Sequence, residues 1–142
     1  KRAIERGVRA VGWKPVESGV VGELGDDVPS ADRANPRQVA GLRTDWASVS
    51  SGWYHTCARR TTGRLFCWGA NGNGATGDVG PNQPVPRQVA GLRTDWVSVD
   101  AGSFHTCGRR ANGRLFCWGR DDRGQLGDGG TDTNQFTPVQ VA

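Results

Sequence analysis

Apolar and polar positions alternate over short runs along much of the chain, which is the period of strands. Trp96-Val97-Ser98-Val99 alternates, while His105-Thr106-Cys107 and Arg114-Leu115-Phe116-Cys117-Trp118 are short β-branched or apolar runs separated by clusters of Gly, Asn, Asp and Pro. No stretch sets apolar residues at the three- and four-residue spacing of a helix face. The pattern predicts a Pro-led strand (Arg37 to Ala40, then Arg87 to Ala90) and a second strand (Trp46 to Ser50, then Trp96 to Asp100). A third strand begins at His55 or His105, and a fourth covers Arg64 to Trp68 or Arg114 to Trp118. Tight hairpins through Thr61-Thr62-Gly63 and Ala111-Asn112-Gly113 join the third and fourth strands. A long Gly-rich loop then leads to the next Pro-led strand.

These elements repeat. PRQVAGLRTDW stands at Pro36 to Trp46 and again, letter for letter, at Pro86 to Trp96, an offset of 50, and HTC, RR and GRLFCWG return at the same offset. A fixed period of this size means stacked supersecondary units, none of which buries its apolar face alone. Four short strands per unit fit a propeller blade, so the expected class is all-β, with four-stranded antiparallel blades. Residues 35–84 read as the first full unit and 85–142 as the second. Residues 1–34 read as a linker and the divergent tail of a preceding repeat, since Gly22 to Asp27 resembles Gly124 to Gly129 and Trp13 precedes it as Trp118 precedes the later segment. Propellers typically close with about 4 to 8 blades, so an incomplete ring is expected. Either a longer chain or a homo-oligomer would supply the remaining blades. A chain starting at Lys1 without Met fits a processed or trimmed product.

The repeated residues carry a family resemblance. G-x-x-H-T, then G-R-L-x-C-W-G, then N/D-x-x-G-x-x-G-D resembles the repeat of the regulator of chromosome condensation family, whose propeller usually has seven blades. The resemblance covers both full units and, more weakly, Gly22 to Asp27. Ala75-Thr76 departs from the Gln-Leu usual there, which Gln125-Leu126 keeps. The two cysteines per unit are unlike the nuclear archetype and more similar to secreted bacterial members and plant receptor ectodomains.

Hairpin arithmetic places those cysteines. With a three-residue loop from Thr61 to Gly63, Arg60 faces Arg64 and opposed residues sum to 124, which sets Cys57 against Cys67; in the second unit Cys107 opposes Cys117. Opposed residues of an antiparallel pair lie within disulfide reach, so Cys57–Cys67 and Cys107–Cys117 are the expected bridges. Buried free thiols are the alternative, and a metal site lacks its usual close Cys pair. Bridges of this kind point to an extracellular or periplasmic location.

The remaining chemistry is sparse. His55 and His105 are the only histidines and fall at one repeat position, which suggests a structural imidazole bonded to loop backbone. No nucleophile, metalloprotease or phosphate-loop pattern is present, so no catalytic residue, cofactor or metal is expected. Asp121, Asp122, Asp128 and Asp132 lack calcium-loop spacing and read as a solvated, self-bonding turn. Gly74, Gly77, Gly124 and Gly127 are expected to supply backbone angles that other residues avoid. Phe66, Trp68, Phe116 and Trp118 lie on the strand face opposite the cysteines and read as wedges between blades.

Charge and the variable turns supply the binding candidates. The net charge is +4 with only two lysines, so the basic character is arginine. Turns of an up-and-down blade alternate between disc faces, which gathers Arg59, Arg60, Arg64, Arg109, Arg110 and Arg114 with Arg43 and Arg93 on one face, diluted by Asp45 and Asp95. Trp53, Tyr54 and Phe104 belong to the other face and vary between units, as partner contacts do. The expected function is non-catalytic protein recognition or scaffolding in a secreted or surface protein. A nuclear-type exchange factor or chromatin binder and an oligomeric propeller lectin are the alternatives, with a polyanion or glycan as possible ligands. No segment has the roughly 18 apolar residues of a membrane span.

Overall fold

The computed structural model describes residues 35–142, so the linker and partial repeat expected in 1–34 lie outside the described residues. The described residues fall into two units, 35–42 in the first and Arg43–Ala142 in the second. Within the first, residues 35–42 form no strand, and Leu42 (φ 49°) closes a turn by donating its N–H to the Val39 carbonyl at 3.2 Å.

The second unit is all strand. Trp46–Ser51 (β1), His55–Arg60 (β2), Leu65–Gly69 (β3) and Gln83–Gln88 (β4) form one four-stranded sheet in chain order. Trp96–Ala101 (β5), His105–Arg110 (β6), Leu115–Gly119 (β7) and Gln135–Gln140 (β8) form the second. Every neighbouring pair is antiparallel. These are two propeller blades, as the repeat predicts, and among the described residues they leave a ring incomplete.

One assignment changes. The Pro-led segment before the second unit forms its strand at Gln83–Gln88, earlier than Arg87 to Ala90, and it pairs with β3. It therefore completes the blade of the unit before it. Pro84 and Pro86 explain the position, because a strand missing two donors is tolerated only at a sheet edge. The counterpart expected at Arg37 to Ala40 is not a strand.

The hairpin register matches the spacing. His55 faces Gly69, Cys57 faces Cys67 and Arg59 faces Leu65, with the same pairs fifty residues on. Disulfides join Cys57 to Cys67 and Cys107 to Cys117, with Cα atoms 4.1 Å apart in each.

The blades bury opposite faces against each other. Cys57, Leu65, Cys67 and Val89 of the first meet Trp96 and Trp118 of the second in one apolar cluster, with Val99 and Phe116 at its margin. Leu65 is fully buried, whereas Leu115, its repeat equivalent, is 41% exposed. Alternation along a strand produces this division, because Cys67 and Trp68, or Cys117 and Trp118, point to opposite sides of their sheet. Backbone contacts add direction to the packing: Trp96 N–H donates to the Gly63 carbonyl at 3.1 Å, and Ala101 N–H to Ser50 Oγ at 2.9 Å.

Candidate functional site

His55 sits in the inter-blade seam. Its Nε2 lies 2.7 Å from Thr106 Oγ1, and that hydroxyl donates to the Ala75 carbonyl at 2.9 Å. A hydroxyl has one proton, so with it committed to Ala75 the oxygen accepts from His55 Nε2–H. Nδ1 is buried and unpartnered among the described residues, a setting that disfavours a proton there and with it the charged imidazolium. Burial lowers the His55 pKa, and the nearby His105 lowers it further. The expected partner was loop backbone; the observed one is a side chain of the next blade, because His55, the first residue of β2, reaches Thr106 of β6. His105 is only half-buried.

Trp118 crosses the same seam, donating its indole N–H to the Ala75 carbonyl at 3.0 Å. Gly77 leaves room for it: φ is 74°, and a Cβ there would stand 2.8 Å from Trp118 Nε1. Gly127 keeps the left-handed angle, φ 64°, but a Cβ would meet only Val141 at 3.4 Å. Trp68 is half-buried. Ala75 and Thr76, where Gln-Leu was expected, are both buried, and the Ala75 carbonyl serves two donors.

Asp121 differs from its expectation. It is buried, and its Oδ1 accepts the Leu126 N–H at 2.9 Å. Asn71 does the same for Thr76 in the first blade at 3.1 Å. Each organises its loop from inside, while Asp122, Asp128 and Asp132 remain at or near the surface.

Three aromatic residues meet outside the core. Tyr54 stacks on Phe104 with centroids 5.8 Å apart and planes at 29°, and Trp53 meets the same ring edge-on at 5.9 Å. Trp53 is 71% exposed and Tyr54 63%. Phe104 comes from the second blade, so the cluster spans both repeats. The Arg120 guanidinium lies 5.5 Å from the Phe104 centroid and pairs with Asp122. Sequence variation at the turn singled out the three aromatics. Arg120 was missed, although Ala70 at the equivalent position was the available signal.

The arginines divide into two groups. Arg60 grips Asp45 through Nε and Nη2, and Arg110 grips Asp95 in the same way. Each guanidinium hydrogen bond lowers the partner carboxyl's pKa and raises that of the arginine. Arg60 and Arg110 also lie 5.9 and 5.7 Å from the Phe66 and Phe116 centroids. Arg43, Arg59, Arg64, Arg93, Arg109 and Arg114 have no ion-pair partner among the described residues. Hairpin tips and GLRTD connections do adjoin, since Thr61 N–H donates to the Asp45 carbonyl and Ala111 N–H to the Asp95 carbonyl, both at 2.9 Å.

A family model of the Regulator of chromosome condensation (RCC1) repeat matches residues 62–108 and 112–142, and a second model of that repeat matches 46–75 and 96–125. Yeast RCC1 (Prp20), solved bound to Kap60, is similar in structure with a TM-score of 0.74 and 20% identity, over 82% of this chain and 29% of that one. Prp20p from Saccharomyces cerevisiae, in a study of its binding to Gsp1p and histones, gives 0.63 and 21% over 77% and 27%. Human WBSCR16 gives 0.67 and 20% over 75% and 27%. The chain thus spans less than a third of the length of these structures. Among curated proteins none matches. Among the described residues no helix is long and apolar enough to cross a membrane.

Proposed function

The chain belongs to the regulator of chromosome condensation (RCC1) repeat family, and on that premise we propose that it is a non-catalytic protein-recognition segment that contacts its partner through Trp53, Tyr54 and Phe104. The observation that carries this reading is the ordered exposure of the aromatic cluster. Trp53 and Tyr54 leave most of their surface in water, yet both are held by contact with Phe104 of the next repeat. Such rings lose little entropy on binding and bury much apolar area, and Trp, Tyr and Arg are the residues that dominate binding hot spots. Arg120 at the edge of the cluster adds the polar part of that set.

The two disulfides support work in an oxidising compartment, at the cell surface or outside it. Recognition rather than catalysis is supported by the histidines, which recur at one repeat position, with His55 spending its Nε2 proton on a structural hydroxyl. The test is capture from an extracellular protein fraction on immobilised chain, with captured species identified by mass spectrometry. Trp53→Ser combined with Phe104→Ser should lose the specific species while keeping the same unfolding midpoint. Equal capture by the variant would refute the assignment of this surface.

A further inference from the structure

Arg93, which has no ion-pair partner among the described residues, borders a cavity. Ala90, Gly91, Arg93, Phe116, Thr137 and Pro138 line a depression of about 310 Å³, open to solvent, on the opposite sheet face from Cys117. That volume is at the lower end of the range of ligand pockets and suits a single bulky side chain. Its floor is apolar: Phe116 is half-buried against Trp96 at 5.9 Å, edge to face, and Pro138 of β8 lines the cavity with it. Arg93 stands at its rim, exposed. Arg114, also exposed, lies two residues before Phe116 on the same side of the strand.

The charge around this floor is unbalanced. Asp45 and Asp95 are the acidic residues of the GLRTD connections, and both are consumed by Arg60 and Arg110. Arg64 and Arg114 at the hairpin tips, and Arg43 and Arg93 in the connections, are left without a carboxylate among the described residues. The tip of the first hairpin abuts the second connection, where a Cβ on Gly63 would stand 2.0 Å from the Thr94 carbonyl oxygen, so Arg64 and Arg93 belong to one continuous edge. An apolar floor with Arg93 at its rim and Arg114 close by in sequence, both without a carboxylate partner among the described residues, complements a chain that presents an apolar side chain between carboxylates.

We propose that this cavity is a docking site for an acidic protein segment, with a leucine- or phenylalanine-sized side chain seated on Phe116 and flanking carboxylates held by Arg93 and Arg114. The site is separate from the Trp53, Tyr54 and Phe104 cluster and does not depend on its role. Two contacts of different chemistry would let one segment join two partners. A nucleic acid would satisfy the arginines but would not need the pocket, and the difference is measurable.

The experiment uses fluorescence anisotropy with a labelled peptide of alternating Glu and Leu, both termini blocked. Alternating Glu and Ser, alternating Lys and Leu, and a short single-stranded DNA are the comparisons. The Glu-Leu peptide should bind about tenfold more tightly than Glu-Ser, and Lys-Leu should not bind. Thr137→Trp, a change at an exposed position that fills the cavity, should erase the preference for Leu. Arg93→Glu with Arg114→Glu should weaken Glu-Leu binding by about tenfold or more, while Trp53→Ser leaves it unchanged. Equal binding of Glu-Leu and Glu-Ser overturns the pocket, as does a Leu preference that survives Thr137→Trp. DNA that binds more tightly than Glu-Leu and displaces it makes the edge a nucleic-acid surface instead.

Discussion

His55 and Thr106 meet side chain to side chain across the blade seam, 2.7 Å apart, and the threonine hydroxyl passes the connection on to the Ala75 carbonyl. One hydroxyl therefore satisfies two groups of the first blade. Neither has water as an alternative, because His55 and Thr106 are both buried. In the repeat the two residues are neighbours in the motif His-Thr, one used by each blade.

Thr106→Val should accordingly cost more than an ordinary buried substitution. It leaves His55 Nε2–H without a partner, at roughly 1–3 kcal/mol for a buried unsatisfied group, and the Ala75 carbonyl with the Trp118 indole as its one side-chain donor. Thr106→Ser keeps the hydroxyl and should lose well under half as much. Urea unfolding of the three proteins distinguishes the cases, and equal losses for Val and Ser would show that packing alone matters.

The same contact makes stability depend on pH. Protonating His55 would place an N–H at Nδ1, where no acceptor faces it among the described residues. Its pKa is lowered by burial and by His105, so the unfolded chain, with a value near 6.5, binds the proton more readily. The stabilisation is complete above about pH 6.5 and is lost as pH falls from there through the lowered native value. The unfolding midpoint should drop between pH 7 and 5, and His55→Gln should flatten that part of the profile.

Gly63 and Gly113 form a matched pair. Both adopt positive φ, 82° and 85°, at the tip of equivalent hairpins. A Cβ on Gly63 would collide with the Thr94 carbonyl, whereas one on Gly113 meets nothing within 4 Å. Gly113→Ala should cost only the left-handed strain, about 1–2 kcal/mol. Gly63→Ala should cost that and the displacement of the second blade's connection. Thermal melts that shift equally would mean the two blades do not bear on each other at this point.

The strand order and hairpin register were legible because period-two alternation and loop length determine them locally. Cys57 and Cys67 needed nothing beyond the chain's own spacing. The contacts that hold the blades together were not legible, since they join residues about fifty positions apart: Thr106 to His55, and Trp118 to Ala75. Membership of the Pro-led strand was misread for a related reason. A repeat in sequence can be cut at any phase, and only the hydrogen bonds of Gln83–Gln88 to β3 decide which blade the strand joins. The roles of Arg60 and Arg110 escaped for a different reason, because a basic count does not reveal that Asp45 and Asp95 have already taken those two side chains. At the aromatic cluster, the disagreement between Ser103 and Trp53 pointed to the turn, but not to the stacking of Tyr54 on Phe104.

The disulfides offer a final comparison between equivalent positions. Each closes a loop of the same length, a sequence separation of 10, so loss of chain entropy in the unfolded state should contribute about 2–3 kcal/mol to each. Their surroundings differ. Cys57 and Cys67 are both fully buried beneath Trp96 and Trp118, whereas in the second pair Cys117 is buried but Cys107 is half-buried on the outer side of the second blade. Cys57→Ala with Cys67→Ala removes both sulfurs from a packed seam, adding a cavity cost to the entropic one. Cys107→Ala with Cys117→Ala should add a smaller cavity cost, since only Cys117 of that pair is buried. Denaturant melts of the two double variants should therefore separate by about 1 kcal/mol or more, with the first the less stable. Equal losses would mean that the disulfides act only on their own hairpins and that the seam draws its stability from Trp96, Trp118 and Leu65 alone.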